Sequence, residues 1–315
     1  MKARLFAGFL VLALAGCQSA TGADGSAWKP RGNVNMIVPF GAGGGSDIAG
    51  RAMAAGIEKT TPKVNITVEN REGGSGAVGY SHLLSKKGDG NVLLATESAL
   101  LTLPASGNVD FSYKNFTPIM KVAEDGSLMV VPKASPYKSC ADLVEGAKKG
   151  RVPVGVAAAF GIDNFTFKMI EQKAGVQFQR IPTESGGELT TALLGGQIQA
   201  ALLNPGEVLG QLKSGELRAL CATTEKRYDY PELKDIATAK EQGIDVAYAN
   251  FRGILAPGGI PEAARTYWIE AARKLVKSPE YDTYVKENYL QPVQAEGDQF
   301  TAVLDRLSTQ ISAVK

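Results

Sequence analysis

Short apolar runs alternate with amphipathic stretches along most of this chain, and the alternation predicts a succession of strands and helices. Met36, Ile37 and Val38 form the first run, rich in β-branched residues and read as a buried strand. Ile48, Met53 and Ile57 then recur on roughly one face of a helix. Residues 64–68 alternate as a second strand, 77–86 form a short helix carrying His82, and 91–95 form a wholly apolar third strand. Strands over 117–122 and 128–131 follow, and Pro132 and Pro136 punctuate the chain. A second series then begins. It comprises helix 140–149, strand 152–157, helix 164–174, strand 178–181, helix 188–194, strand 200–203, helix 207–213 and strand 217–223. Residues 251–256 are apolar and end at Pro257, and helices over 261–277, 279–288 and 298–314 close the chain. Apolar strands alternating with helices predict an α/β protein whose sheets are parallel and covered on both faces.

The connections after the strands carry the chemistry. After the first strand, Gly41, Gly43, Gly44 and Gly45 permit a tight turn, and Ser46 or Asp47 can cap the helix that follows. A strand, a glycine turn and an open helix N-terminus favour an anion, through free amides and the helix dipole. The same turn approximates a dinucleotide fingerprint, with Ser46 in place of its last small residue. Thr96 and Ser98 lie just past the third strand, where ligands of open α/β sheets bind. The second series repeats the design. Ala157–Gly161 precedes a helix starting near Asn164, Thr183–Gly187 includes Ser185, Gly186 and Gly187, and Asn204 stands before Pro205. Facing edges of this kind would surround a small anion with amides and hydroxyls.

Composition narrows the classes. The chain has 315 residues, enough for two domains, and is 44% hydrophobic and 21% charged, as ordinary globular proteins are. Its net charge of +2 includes Lys2 and Arg4 in the leader, and no basic stripe points to nucleic acid. A single histidine, His82, argues against histidine-rich zinc sites and a Ser-His-Asp triad. No cofactor and no metal are expected.

Residues 1–16 read as a signal peptide, with Lys2 and Arg4 before the apolar stretch 5–14. Leu14-Ala15-Gly16-Cys17 resembles a bacterial lipobox, which makes Cys17 the expected site of lipidation; a plain secretory signal is the alternative. Gln18 after the cysteine resembles the sorting pattern for the outer membrane, and residues 17–33 read as a flexible tether. Cys140 and Cys221 remain in the exported part, either as one disulfide or as two buried thiols.

Taken together, five landmarks resemble the solute receptors of tripartite tricarboxylate transporters, the Bug receptors. They are Val38-Pro-Phe-Gly-Ala-Gly-Gly-Gly-Ser-Asp47, the stretch 68–79, Leu194-Gly-Gly-Gln197, Gly215–Leu220 and Gly253–Pro257. The resemblance runs from about Val34 to the C-terminus. It implies a type II periplasmic binding protein, with two parallel-sheet lobes joined by two crossover segments near 128–132 and 251–256. Lobe one would be 34–130 plus 253–315, and lobe two 131–252.

The resemblance further implies a monomeric, non-enzymatic periplasmic receptor that holds a small di- or tricarboxylate in the interlobe cleft and passes it to a membrane permease. Carried over position by position, Gly44, Gly45, Ser46, Asp47, Thr96, Ser98, Gly161, Asn164, Ser185, Gly186, Gly187 and Asn204 would form the site. Asp47 is expected to cap the glycine loop rather than touch the ligand. Arg252 is a candidate carboxylate ligand or a hinge ion pair. Glu97 stands where many relatives carry a small neutral residue; it is expected to face solvent, and pointing inward it would repel a carboxylate or pair with an amino group. The rival functions are a ligand-presenting sensor partner of a two-component kinase and a Rossmann-type NAD-binding enzyme.

Overall fold

The structure is a computed structural model that describes residues 28–156, 161–183 and 186–314. The signal peptide, Cys17, most of the tether, Ala157 to Phe160 and Ser185 lie outside the described residues.

The chain enters a first sheet through β1 (Val34–Val38), α1 (Gly45–Thr60), β2 (Ile66–Asn70), α2 (Ala77–Ser85), β3 (Val92–Thr96), α3 (Ala99–Ala105) and β4 (Phe116–Asp125). It passes to a second sheet built by β5 (Leu128–Pro132), α4 (Cys140–Lys149), β6 (Pro153–Val156), α5 (Ile162–Ala174), β7 (Gln179–Pro182), α6 (Gly186–Leu194), β8 (Ala200–Leu203), α7 (Pro205–Ser214) and β9 (Leu217–Ala222). It then returns through β10 (Asn250–Pro257), α8 (Glu262–Leu275), α9 (Pro279–Glu287), β11 (Ala295–Glu296) and α10 (Gly297–Ser312). The first sheet has the order β11-β4-β10-β3-β1-β2, and the second β7-β6-β8-β5-β9.

Both sheets are mixed rather than wholly parallel. β1 pairs parallel with β2 and β3, and β6 with β7 and β8, as the apolar strands suggested. β10 runs antiparallel to β3 and β4, and β5 antiparallel to β8 and β9. The cause is the crossing itself. The parallel strands of both sheets end at the shared cleft. A chain that leaves one sheet at the cleft must enter the other from the same side, and so runs against its strands. Leu128–Pro132, read from the sequence as a crossover, is a strand of the second sheet, and the change of sheet falls between Asp125 and Leu128. The return falls between Ala222 and Asn250, and residues 251–256 lie within β10.

Packing holds α1 against the first sheet. Its buried face, with Met53 and Ile57, lies on Met36 and Val38 and against Trp268 and Leu275 of α8. Gly50 lets it sit close: a Cβ there would come within 2.6 Å of Val38 Cγ2. Phe300 of α10 packs edge-on to Phe251 of β10, tying the C-terminal helix to the returning strand. The second sheet has its own core of Met129, Val154, Phe167, Phe178 and Leu202. Cys140 and Cys221 form a disulfide between the start of α4 and β9, which settles the alternative left open by the sequence.

Candidate functional site

A cavity of about 180 Å³ lies between the two sheets. α3, α5, α6 and α7 all begin at its wall, through Ser98 and Ala99, Gly161 to Asp163, Gly186, and Asn204. This follows from the connectivity: each helix succeeds a strand whose carboxyl end faces the cleft. Gly161 caps α5 with no side-chain hydrogen bond, whereas α7 carries a capping box between Asn204 and Glu207. Leu189, Leu202, Leu203 and Phe40 give the cavity its apolar surface.

Behind the first-lobe wall lies Arg252, 6% exposed. Its Nη2 donates to Asp125 Oδ2 at 2.5 Å, and its Nη1 donates to Glu97 Oε2 at 3.1 Å and to the Ser46 hydroxyl at 3.2 Å. Burial works against the Arg252 charge, and the two carboxylates more than offset it, holding its pKa above the ordinary value. Glu97 does not face solvent: it turns inward, correcting the expectation that an unpaired glutamate stays outside. Its Oε2 accepts from Arg252, from Ser46 Oγ at 3.2 Å and from Asn250 Nδ2 at 3.0 Å. The cation supplies the partner that makes its burial tolerable. Asn250 also accepts from the Ser98 amide at 2.9 Å, which ties β10 to the start of α3.

The residues expected from sequence separate into two layers. Ser98, Gly161, Gly186 and Asn204 line the cavity. Gly44, Gly45, Ser46, Asp47, Thr96, Asn164, Gly187 and Arg252 do not. Gly44 precedes α1, and Gly45 lies against Arg252, where a Cβ would come within 2.9 Å of Nη2. Asp47 accepts from the Gly43 amide at 2.8 Å, Arg51 Nε at 3.0 Å and Asn70 Nδ2 at 2.9 Å. Burial would raise its pKa, but these donors lower it to about 2. Asp47 thus holds the glycine loop. Thr96 lies 3.1 Å from the Tyr80 hydroxyl inside the first lobe. Asn164 accepts from Arg180 at 3.2 Å. Ser185 lies outside the described residues.

The cavity also brings in Asn250, Thr102, Ser127, Asp163 and Glu207, which strand-end reasoning passed over. Asn250 sits at the start of an antiparallel strand, an end that a wholly parallel sheet would place away from the cleft. Glu207 packs under Gly186, where a Cβ would clash at 2.7 to 2.9 Å, and burial pushes its carboxyl up. A capping box over 204–207 was the signal available for Glu207. Among the described residues no cluster of three or more His, Cys, Asp or Glu could hold a metal ion.

A second cavity, about 940 Å³, lies on the other face of β10. The pleat turns Asn250 towards the small cavity and Phe251 towards the large one. Among the described α-helices only α9, through Tyr281 and Asp282, brings its first turn to the larger one, which lacks the convergence of helix starts that marks the smaller.

A sequence profile described as "Tripartite tricarboxylate transporter family receptor" (TctC) matches residues 49–313. A "UPF0065 protein in gbd 5'region" of Cupriavidus necator is 26% identical over 302 residues, spanning 95% of this chain and 90% of that protein. The crystal structure of a TctC solute binding protein from Polaromonas, without ligand, is similar with a TM-score of 0.78 at 28% identity, covering 90% of this chain and 97% of that one. An R. palustris protein with adipate is similar with a TM-score of 0.77 at 22% identity, covering 90% of this chain and 95% of that one, which speaks for the shared fold.

Proposed function

The chain belongs to the tripartite tricarboxylate transporter receptor family, and from that premise we propose that it is a periplasmic receptor for a small carboxylate, which it delivers to the membrane permease of such a transporter. The observation that carries this reading is the 180 Å³ cavity at which four helices begin, between two sheets between which the chain crosses twice. First-turn amides have no partner within their own helix, and apart from those taken by the α7 capping box and by Asp163 they offer donors to an anion without an exposed cation. The volume lies below that of drug-sized pockets and suits a small acid. The crossings between Asp125 and Leu128 and between Ala222 and Asn250 act as the hinge, and closing the lobes buries the ligand.

The finer parts of the proposal rest on the sequence. Cys17 carries the lipid, the outer membrane holds the anchor, and the receptor works as a monomer. The lobes divide at the two crossings, and Gly44, Gly45 and Ser46 offer donors on the first-lobe side, with Ser46 also bonded to Arg252 and Glu97. A thermal-shift screen over mono-, di- and tricarboxylates and amino acids tests the reading. The expected result is a midpoint that rises with ligand concentration for at least one carboxylate, since a ligand bound only to the folded state stabilises it by about 2.7 kcal/mol at a hundred times its dissociation constant. A flat response across the whole panel would count against it.

A further inference from the structure

The cavity wall is acidic. Glu97, Asp163 and Glu207 line it, and among the described residues no lysine or arginine does. The nearest cation, Arg252, is already shared between Asp125 and Glu97. All three donors to Glu97 go to Oε2, and Oε1 has no hydrogen-bond partner among the described residues. A second, independent feature stands beside it. Thr102, only 1% exposed, belongs to the same wall, and its hydroxyl is buried without a partner among the described residues. A buried hydroxyl is rarely left unsatisfied, because its desolvation is not repaid. A carboxylate oxygen accepts only, and a hydroxyl accepts as well as donates, so both are matched by a group that donates hydrogen bonds and carries positive charge. A ligand with carboxylates alone would instead place its charge beside Glu97.

We propose that Glu97 Oε1 and Thr102 Oγ1 form a subsite for an ammonium group, so that the ligand is an amino-bearing carboxylate. The inference rests on the carboxylate reading and narrows it: one end of the ligand meets the helix starts of the second lobe, and the amino end meets Glu97 and Thr102. The inward turn of Glu97 then has a use beyond balancing Arg252.

Calorimetry and thermal shift on the full exported chain with matched pairs test this: succinate against aspartate, and glutarate against glutamate, at neutral pH. The expected result is that the amino member of at least one pair binds about tenfold tighter or more, as a site built to pair a polar group rejects the analogue lacking it. Glu97→Gln should bring the pair to near-equal affinity. Thr102→Val, which leaves the Arg252 ion pairs untouched, should weaken the amino member by several-fold and the plain diacid little. Plain diacids binding as tightly as their amino partners in wild-type protein would overturn the inference while leaving the carboxylate receptor intact. An amino preference that survives in both variants would overturn the assignment to these two residues. Binding by neither member of any pair, with no other carboxylate binding, would overturn the receptor reading and this inference with it.

Discussion

The hydrogen bonds of two acidic residues, Glu97 and Asp47, show what single side chains do here. Asp47 is held at about 2 by Arg51, the Gly43 amide and Asn70 in spite of burial. Its folded value lies below the unfolded one, so its contribution is complete above about pH 4 and is lost as the pH falls through about 2. The shift corresponds to about 2 kcal/mol. Urea denaturation of Asp47→Asn at pH 7 should show a loss of about that size, and the gap to wild type should narrow as the pH is lowered towards 3. Arg252 poses the opposite case. Arg252→Met would leave Asp125 and Glu97 buried without their cation, which costs about 3–5 kcal/mol; chemical denaturation checks it, and an unchanged midpoint would contradict the pairing. The hold of Asp47 on the glycine loop could be read from sequence because Gly43 and Arg51 are local. Neither Ser46 nor Asp47 caps α1 as expected: the helix starts at Gly45, one residue after Gly44, with no side-chain cap. The inward turn of Glu97 could not be read from sequence, because Arg252 and Asn250 lie about 150 residues away along the chain.

Elements with a clear period were legible nearly to their ends. Helix α4 and strand β8 fall where the pattern placed them, and most others differ by one to three residues. α3 was missed because Ala99 to Leu103 are all buried, so the segment is apolar all round and shows no helical stripe, and Pro104 lies inside it. β11 has only two residues and no pattern to read. The mixed sheets were missed because direction is set by the path between sheets, which apolar content does not encode. Two element-scale outcomes follow. Cys140 and Cys221 are 81 positions apart, so replacing both by Ser should cost roughly 3–4 kcal/mol, mainly by loosening the unfolded state, and should lower the melting temperature. Gly50→Leu should cost at least about 1–3 kcal/mol by pushing α1 off Val38, measured by the same denaturation.

At the scale of the whole molecule, the two crossings carry the chain past the cleft twice, between Asp125 and Leu128 and between Ala222 and Asn250. Gly126, between β4 and β5, lies so close to the return segment that a Cβ would come within 2.1 Å of Thr224 Cγ2 and 2.6 Å of the Tyr228 hydroxyl. Gly126→Ala should therefore lower stability by about 1–3 kcal/mol and weaken ligand binding together, because it displaces both strands of the hinge at once. The two-lobed plan was legible because five glycine-rich landmarks stood in order. The smaller cavity was legible only in part: Ser98, Gly161, Gly186 and Asn204 stand at strand ends, whereas Asn250 reaches the wall only through the antiparallel run of β10. The most direct measurement is a crystal structure of the protein grown with the tightest-binding acid of the screen. The expected position of that acid is between the sheets, against Ser98, Gly161, Gly186 and Asn204, with Glu97 at its edge. Density for it in the larger groove beyond Phe251, with the cleft between the sheets unfilled, would contradict it.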